Sequence, residues 1–418
     1  MRIAILSVHS CPTGNLGARD TGGMSVYIRE LARELGSQGH RADIYTQAHD
    51  HGNRVTSLGE GVRLVHLEAG GRSIPKQELY PSLPEFAANL EDFCQGHHLR
   101  YDLIFSHYWL SGWVGQELGR RWHVPHMVMF HTLGAVKNAL GLGEEEPPVR
   151  LATEGELAQN CQRLIASTLR EKDFLTWYYR ASPENIGVVP CGVNLARFRP
   201  YNREESRSKL GWGKEKVLLF VGRIEPLKGL ERLITALSLL EGECPRLVVL
   251  GGDQSNQPEV DRLQELARRL QVQEHIIFSG RVEHDELPYF YSAADASVIP
   301  SYYESFCLVA LESLACGTPV LATDVGDLKN IIWEGETGYV VKDNSPHLLA
   351  GKIPALLRQG ENFHRSTDLI RRSVAPFGWA NIAREIAREA QKTLGDHRAS
   401  GEEYECTSIC SGHKPPSR

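Results

Sequence analysis

Short apolar strands alternate with amphipathic helical stretches along almost the whole chain, and this alternation constrains its fold more than any other feature. "RIAILSV" is followed by a Gly-rich loop and then by "GMSVYIRELARELGSQGH", in which Tyr27, Leu31 and Leu35 recur at helical spacing and Gly39 closes the helix. "RADIYTQ", "DLIFSHYW", "HMVMFHT" and "RLIAST" continue the rhythm as strands. It restarts at "KVLLFVGR" and runs through "ERLITALSLL", "RLVVLGG", "DRLQELARRLQ", "IIFSGR", "ASVIPS" and "PVLATDVG". Strands that alternate with helices in this way are covered on both faces, which requires parallel sheets. Two such series predict an α/β protein of two doubly wound parallel-sheet (Rossmann-like) domains facing a cleft. The N-terminal domain is placed at 1–195 and the C-terminal domain at 196–375. "WANIAREIAREAQKTLG" supplies a last helix over 376–396 that packs back across the junction, and 397–418 reads as a disordered polar tail.

With 418 residues and 41% hydrophobic content, the chain can give each domain its own core. A formal net charge of -6 with interspersed signs provides no basic field, so the expected partner is a small molecule and not nucleic acid. No apolar run approaches the roughly 20 residues that span a bilayer, so no transmembrane segment is expected. "MRIAILSVHS" is too short in its apolar part for a secretory signal and reads as the first strand. Nine cysteines without metal-ligand spacing point to free thiols in a reducing cytoplasm and to no metal site. Cys406 and Cys410 form a lone C-x3-C pair in the tail. Oligomeric state is not legible.

In open parallel sheets, ligands bind beyond the carboxyl ends of the strands. The loops there carry neither G-x-G-x-x-G nor G-x-x-x-x-G-K-[ST], which argues against a dinucleotide-dependent dehydrogenase and a P-loop NTPase. Asp-x-Asp, a common metal clamp for a diphosphate, is also missing. "VGRIEPLKGLERL" instead places Arg223 and Lys228 on a loop at a helix start, a geometry suited to a diphosphate that gains charge as it leaves. "PSYYESFCLVALESLACGTPV" adds two carboxylates, Glu304 and Glu312, with a helix expected to begin at Ser305 and Phe306. Eight residues of helix rise roughly 12 Å, enough for one element to reach both ends of a nucleotide sugar. Glu304 is then expected to accept hydrogen bonds from the donor hexose and Glu312 from the ribose, with the N–H groups of Phe306, Cys307 and Leu308 facing the diphosphate.

"ESFCLVALE" resembles the E-x7-E motif of retaining GT-B glycosyltransferases of family 4, and "GRIEPLKG" resembles their diphosphate loop. "GGMSVYIRELARELG", "DLIFSHYWLSG", "FHTLGAVKN", "VVPCGVNLARFRP" and "GETGYVV" follow in that family's order, so the resemblance reaches to about residue 395. Within the family, "SHYWLSG" and "HTLGAVKN" are most similar to the inositol-phosphate N-acetylglucosaminyltransferases, with sucrose-phosphate synthases next. The resemblance implies that Gly22 and Gly23 let backbone approach the donor diphosphate, that His131 lies beside the donor sugar, and that Arg281 lies near the base. It also implies an acceptor-phosphate site of Lys76, Tyr108, Thr132 and Arg150. Cys307 stands where the family commonly has Gly, and Ser25 stands where the inositol-phosphate enzymes carry an acceptor-side Asn.

The expected activity is transfer of a hexosyl or N-acetylhexosaminyl group from a UDP-sugar to a small phosphorylated polyol or sugar, with retention and without a metal or other cofactor. No residue stands out as a covalent nucleophile. On the residues alone, three alternatives stay open: a nucleotide-sugar epimerase, a non-catalytic nucleotide-sugar-binding subunit, and a transferase to a lipid-linked acceptor.

Overall fold

The computed structural model of the protein describes residues 1–14, 21–48, 54–71, 76–252, 256–363 and 367–410. The N-terminal half runs β1 (Arg2–Leu6), α1 (Gly23–Ser37), β2 (Arg41–Gln47), β3 (Arg54–Gly59), β4 (Val62–Leu67), α2 (Leu83–Gly96), β5 (Leu103–His107) and α3 (Tyr108–Trp122). It continues with β6 (His126–Met129), α4 (Gly134–Leu140), α5 (Pro148–Asn160), β7 (Arg163–Ala166), α6 (Leu169–Tyr179) and β8 (Ile186–Val188). The C-terminal half begins with α7 (Arg203–Leu210), β9 (Val217–Val221), α8 (Leu230–Ser238), β10 (Arg246–Leu250), α9 (Gln257–Arg269), β11 (Ile276–Gly280), α10 (Leu287–Ala293) and β12 (Ala296–Ile299). It ends with α11 (Leu308–Ala315), β13 (Val320–Thr323), α12 (Leu328–Ile331), β14 (Gly338–Val341), α13 (Pro346–Phe363), α14 (Thr367–Ser373) and α15 (Trp379–Cys410).

Two sheets result, ordered β3-β4-β2-β1-β5-β6-β7-β8 and β11-β10-β9-β12-β13-β14. All pairs are parallel except the edge hairpin of β3 and β4. The order reverses at β1 in the first sheet and at β9 in the second, so each sheet opens a crevice where the loops after neighbouring strands part to opposite faces. Burial explains the register of this layering: in α1, Tyr27, Leu31 and Leu35 all lie at 1% exposure or less, one turn apart on the face toward the sheet.

α15 leaves the second sheet and docks on the first. Trp379 meets the Tyr27 ring edge-on at 5.3 Å, the Gln38 amide donates to the Ala380 carbonyl at 3.0 Å, and Arg163 donates to Glu389 at 2.6 Å. The helix continues to Cys410, past residue 396, because no proline interrupts its sequence before Pro415. The side chains of Cys406 and Cys410, and all of 411–418, lie outside the described residues. The described cysteines Cys11, Cys94, Cys161, Cys191, Cys244, Cys307 and Cys316 are free thiols. Among the described residues no helix is long and apolar enough to cross a membrane.

Candidate active site

A cleft of about 410 Å³ lies between the carboxyl ends of the two sheets. Its first wall is built after β1, β5 and β6, and its second after β9, β10 and β12. The structure brings to it Gly22, Gly23, Lys76, Tyr108, His131, Thr132, Arg150, Arg223, Lys228, Arg281, Glu304, Phe306, Cys307, Leu308 and Glu312. Ser25 is not in the wall: it is fully buried on α1, and its hydroxyl lies 2.6 Å from that of Ser10, which does face the cleft.

On the C-terminal wall, Lys228 Nζ lies 2.7 Å from Glu304 Oε1, and the Ser301 hydroxyl donates to the same oxygen at 2.8 Å. Gly229 makes this approach possible. Its φ is +66°, and a Cβ there would fall 2.0 Å from the Pro300 carbonyl oxygen. Burial disfavours the Lys228 ammonium, but Glu304 and Glu225 outweigh it, and the net effect raises its pKa. Arg223 pairs with Glu225 at 3.0 Å, and Arg281 pairs with Glu283 at 2.5 Å.

The expected helix start is corrected. α11 begins at Leu308, not at Ser305 or Phe306, so Glu304 sits on the loop before the helix and the two glutamates are not held by one helix. Cys307 stops the helix from extending backward, because it caps the N-terminus at φ +91° and ψ +83°, outside helical space. Of the three expected N–H donors only Leu308 belongs to the helix; Val309 is the next without an intrahelical acceptor. α1 points its own N-terminus at the same place, and a Cβ on Gly23 would lie 3.4 Å from Leu308 Cδ1. A Cβ on Gly22 would meet nothing within 4 Å, so packing within the protein does not demand glycine there. Glu312 is buried, with Oε1 2.8 Å from His284 Nε2 and Oε2 accepting from Tyr291 at 3.0 Å. These contacts fix the carboxylate at the far end of the cleft.

On the N-terminal wall, two adjacent parallel strands each end in a strained turn. Tyr108 follows β5 at φ +76° and His131 follows β6 at φ +61°, conformations that non-glycine residues adopt at a cost. His131 Nε2 lies 2.9 Å from His107 Nδ1, and burial pulls the His131 imidazole down to about 3, so it is neutral at physiological pH. Ser305 donates to the His131 carbonyl, tying the two walls together. Arg150 is almost fully buried. Its Nε donates to Glu154 at 2.7 Å, and its Nη2 donates to the Thr132 carbonyl and hydroxyl at 2.8 and 3.0 Å. The Tyr108 ring has Arg150 Cζ at 4.8 Å and Lys76 Nζ at 5.6 Å from its centroid. Burial pushes the Tyr108 phenol up to about 12.

Several cleft residues escape the sequence reading. His9 packs against Tyr108 at 4.5 Å between ring centroids, and Lys137 faces the cleft from α4. His284 and Tyr291 hold Glu312. Lys137 lies within "FHTLGAVKN" and His284 within "SGRVEHDEL", but a lone Lys or His carries no spacing signal that separates it from surface residues.

Residues 22–192 match the family described as "Glycosyl transferase 4-like domain", and residues 202–371 match "Glycosyl transferases group 1". The chain belongs to the group 1 glycosyltransferases. Curated relatives of this glycosyltransferase include the D-inositol 3-phosphate glycosyltransferase of Corynebacterium diphtheriae, 37% identical over 92% of this chain and 93% of the relative. Another is D-inositol 3-phosphate glycosyltransferase 2 of Catenulispora acidiphila, 39% identical over 95% of this chain and 96% of the relative. Among solved structures, sucrose-phosphate synthase from Thermosynechococcus elongatus superposes with a TM-score of 0.86 at 31% identity, covering 94% of this chain and 99% of that one. The two Rossmann-like domains and the cleft between them are the GT-B fold.

Proposed function

We propose that this glycosyltransferase moves a hexosyl or N-acetylhexosaminyl group from a UDP-sugar to a small phosphorylated polyol or sugar, with retention of anomeric configuration and without a metal. The carrying observation is the chemistry of the two walls: a cation-carboxylate pair and the N-terminus of α11 on the C-terminal wall, and the N-terminus of α1 with Lys76, Tyr108, Thr132 and Arg150 on the N-terminal wall. An epimerase has no use for those four side chains. The names of the relatives, which specify D-inositol 3-phosphate and sucrose phosphate, support a phosphorylated acceptor.

In this reading, residues 1–195 bind the acceptor and 196–375 the donor. The acceptor hydroxyl attacks the anomeric carbon on the face from which the nucleotide leaves. The departing β-phosphate oxygen takes the hydroxyl proton, giving the glycoside and UDP. Arg223, Lys228 and the N–H groups at the starts of α1 and α11 stabilise the charge that develops on that oxygen. Glu304 orients both Lys228 and the sugar hydroxyls, Glu312 takes the ribose, Arg281 the base, and neutral His131 lines the sugar pocket. The free thiols agree with a cytoplasmic enzyme.

The test is a product assay by mass spectrometry, pairing UDP-, GDP- and ADP-sugars with phosphorylated and unphosphorylated polyols and hexoses, with the anomeric configuration of the product read by NMR. An inverted product, or conversion of the nucleotide sugar with no acceptor, defeats the proposal.

A further inference from the structure

Two cations that line the cleft, Lys137 and Arg150, share an anion of the protein's own. Lys137 on α4 pairs with Glu146 Oε1, and Arg150 Nη1 lies 2.7 Å from Glu146 Oε2. The rest of Arg150 is committed to the frame: Nε to Glu154, which is fully buried and also accepts the Gly134 N–H at 2.9 Å, and Nη2 to Thr132. Nη1 is therefore the edge of the guanidinium whose partner comes from the loop joining α4 to α5. That partner differs from Glu154, since the Glu146 side chain is 13% exposed and stands on a connecting loop.

The main chain of Glu146 is pinned independently of its carboxylate, which among the described residues only the Lys137 and Arg150 pairs hold. Asn138 Oδ1 accepts the Glu146 N–H at 2.7 Å, and Asn138 Nδ2 donates to the Glu146 carbonyl at 3.2 Å. Side-chain torsions alone thus suffice to withdraw the carboxylate from Lys137 and Arg150 without unfolding the loop. A carboxylate bridging an ammonium and a guanidinium uses the same donors, in the same fork, that one edge of a phosphate would use.

We infer that Glu146 is a built-in occupant of the acceptor-phosphate subsite, displaced when the acceptor arrives, and that Lys137 then becomes a direct ligand of the acceptor's phosphate. The inference rests on the acceptor reading proposed above. It makes Glu146 a specificity residue: a phosphate dianion brings more charge to Lys137 and Arg150 than the carboxylate it replaces, whereas a neutral acceptor cannot displace it.

The experiment is calorimetric titration of the UDP-loaded protein with inorganic phosphate and with D-inositol 3-phosphate, in the wild type, Glu146→Gln and Lys137→Met, with UDP affinity measured alongside. Glu146→Gln is expected to bind both anions more tightly by on the order of tenfold, the factor lost when the binding-competent state is about one part in ten. Lys137→Met should bind both more weakly by a similar factor, and UDP affinity should stay unchanged in each. If Glu146→Gln weakens the anions as Lys137→Met does, Glu146 merely supports the lysine and the inference falls. If the wild type binds the anions but Glu146→Gln does not tighten them, the inference falls and the acceptor site stands. If neither anion binds wild type or variant, both fall. Should Glu146→Gln not fold, Glu146→Asp serves, because the shorter carboxylate cannot bridge both cations and should tighten the anions in the same direction.

Discussion

Lys228 and Glu304 reach each other across two loops, one after β9 and one after β12, with Nζ 2.7 Å from Oε1. The pair joins the charge that would face the leaving diphosphate to the carboxylate that would hold the sugar, so either residue loses its orientation when the other is removed. Lys228→Ala should lower kcat on the order of 10² to 10³, the usual cost of one preorganised charge contact at a developing oxyanion. Circular dichroism should show the fold retained. Near-normal turnover of Lys228→Ala would remove this pair from the catalytic machinery.

Acid should destabilise the protein through its buried histidines. Burial pulls His126 and His131 down to about 3, and His9 and His107 well below their ordinary value. An unfolded chain protonates these groups near pH 6.5 while the folded one does not, so stability is lost as pH falls from 6.5 toward about 3. Within that window each group that stays neutral contributes a slope of about 1.4 kcal/mol per pH unit. Urea titrations at pH 7.5 and 5.5 measure it. His126→Gln, which keeps a hydrogen-bond partner for the Ser106 hydroxyl, should flatten the slope by about one proton, and a flat wild-type profile would contradict the neutral assignments.

Cys307 occupies a left-handed backbone at φ +91°, where a Cβ is strained. Cys307→Ala and Cys307→Gly both remove the buried sulfur, so their difference isolates the backbone. The glycine variant should be the more stable by roughly 1 kcal/mol, since strain relief exceeds the extra unfolded-state entropy of glycine. Equal stabilities by denaturant titration would mean that the turn relaxes in the alanine variant.

Charge neutralisation by Arg223, Lys228 and helix termini predicts turnover that survives a strong chelator. Assays with and without EDTA should agree within a factor of about two, because no proposed contact passes through a metal. Complete loss in EDTA, restored by magnesium or manganese, would show that a cation shares the diphosphate.

The strand-helix rhythm was legible because parallel strands covered on both faces are written as uninterrupted apolar runs, as in "KVLLFV" and "RLVVL". The edge pair β3 and β4 was missed for the opposite reason: it is half solvated, and Val55 is exposed. β8, at three residues, is too short to show a period. In the cleft, Arg223 and Lys228 could be found because they share one strand-to-helix connection, and Glu304 and Glu312 because they stand eight residues apart in one loop-helix segment. The start of α11 could not, since it depends on one backbone torsion at Cys307 that the sequence signals only through an absent glycine. Lys137 and Glu146 were invisible because their meaning lies in a contact between a helix and a loop, and Ser25 misled because a hydroxyl in the first turn of a helix can face either the ligand or the core.

The proposed acceptor site offers the sharpest test, and the structure decides which substitution is clean. Arg150→Ala would remove the counterion of Glu154, which is fully buried, and breaking such a pair from one side costs about 3–5 kcal/mol. A loss of activity in that variant would therefore report unfolding as much as binding. Lys76 approaches the cleft from a short turn, with its ammonium 5.6 Å from the Tyr108 ring. Lys76→Ala should leave the fold and UDP binding intact. If Lys76 grips the acceptor's phosphate, its removal should lower kcat/KM for the phosphorylated acceptor by about tenfold to a hundredfold, as expected for a charge-assisted contact of roughly 1.5–3 kcal/mol. Slow hydrolysis of the donor by water should be unchanged, because water uses no phosphate site. A Lys76→Ala enzyme that loses phosphorylated and unphosphorylated acceptors in equal measure would place the lysine elsewhere in the reaction and remove the phosphate from the recognition of the acceptor.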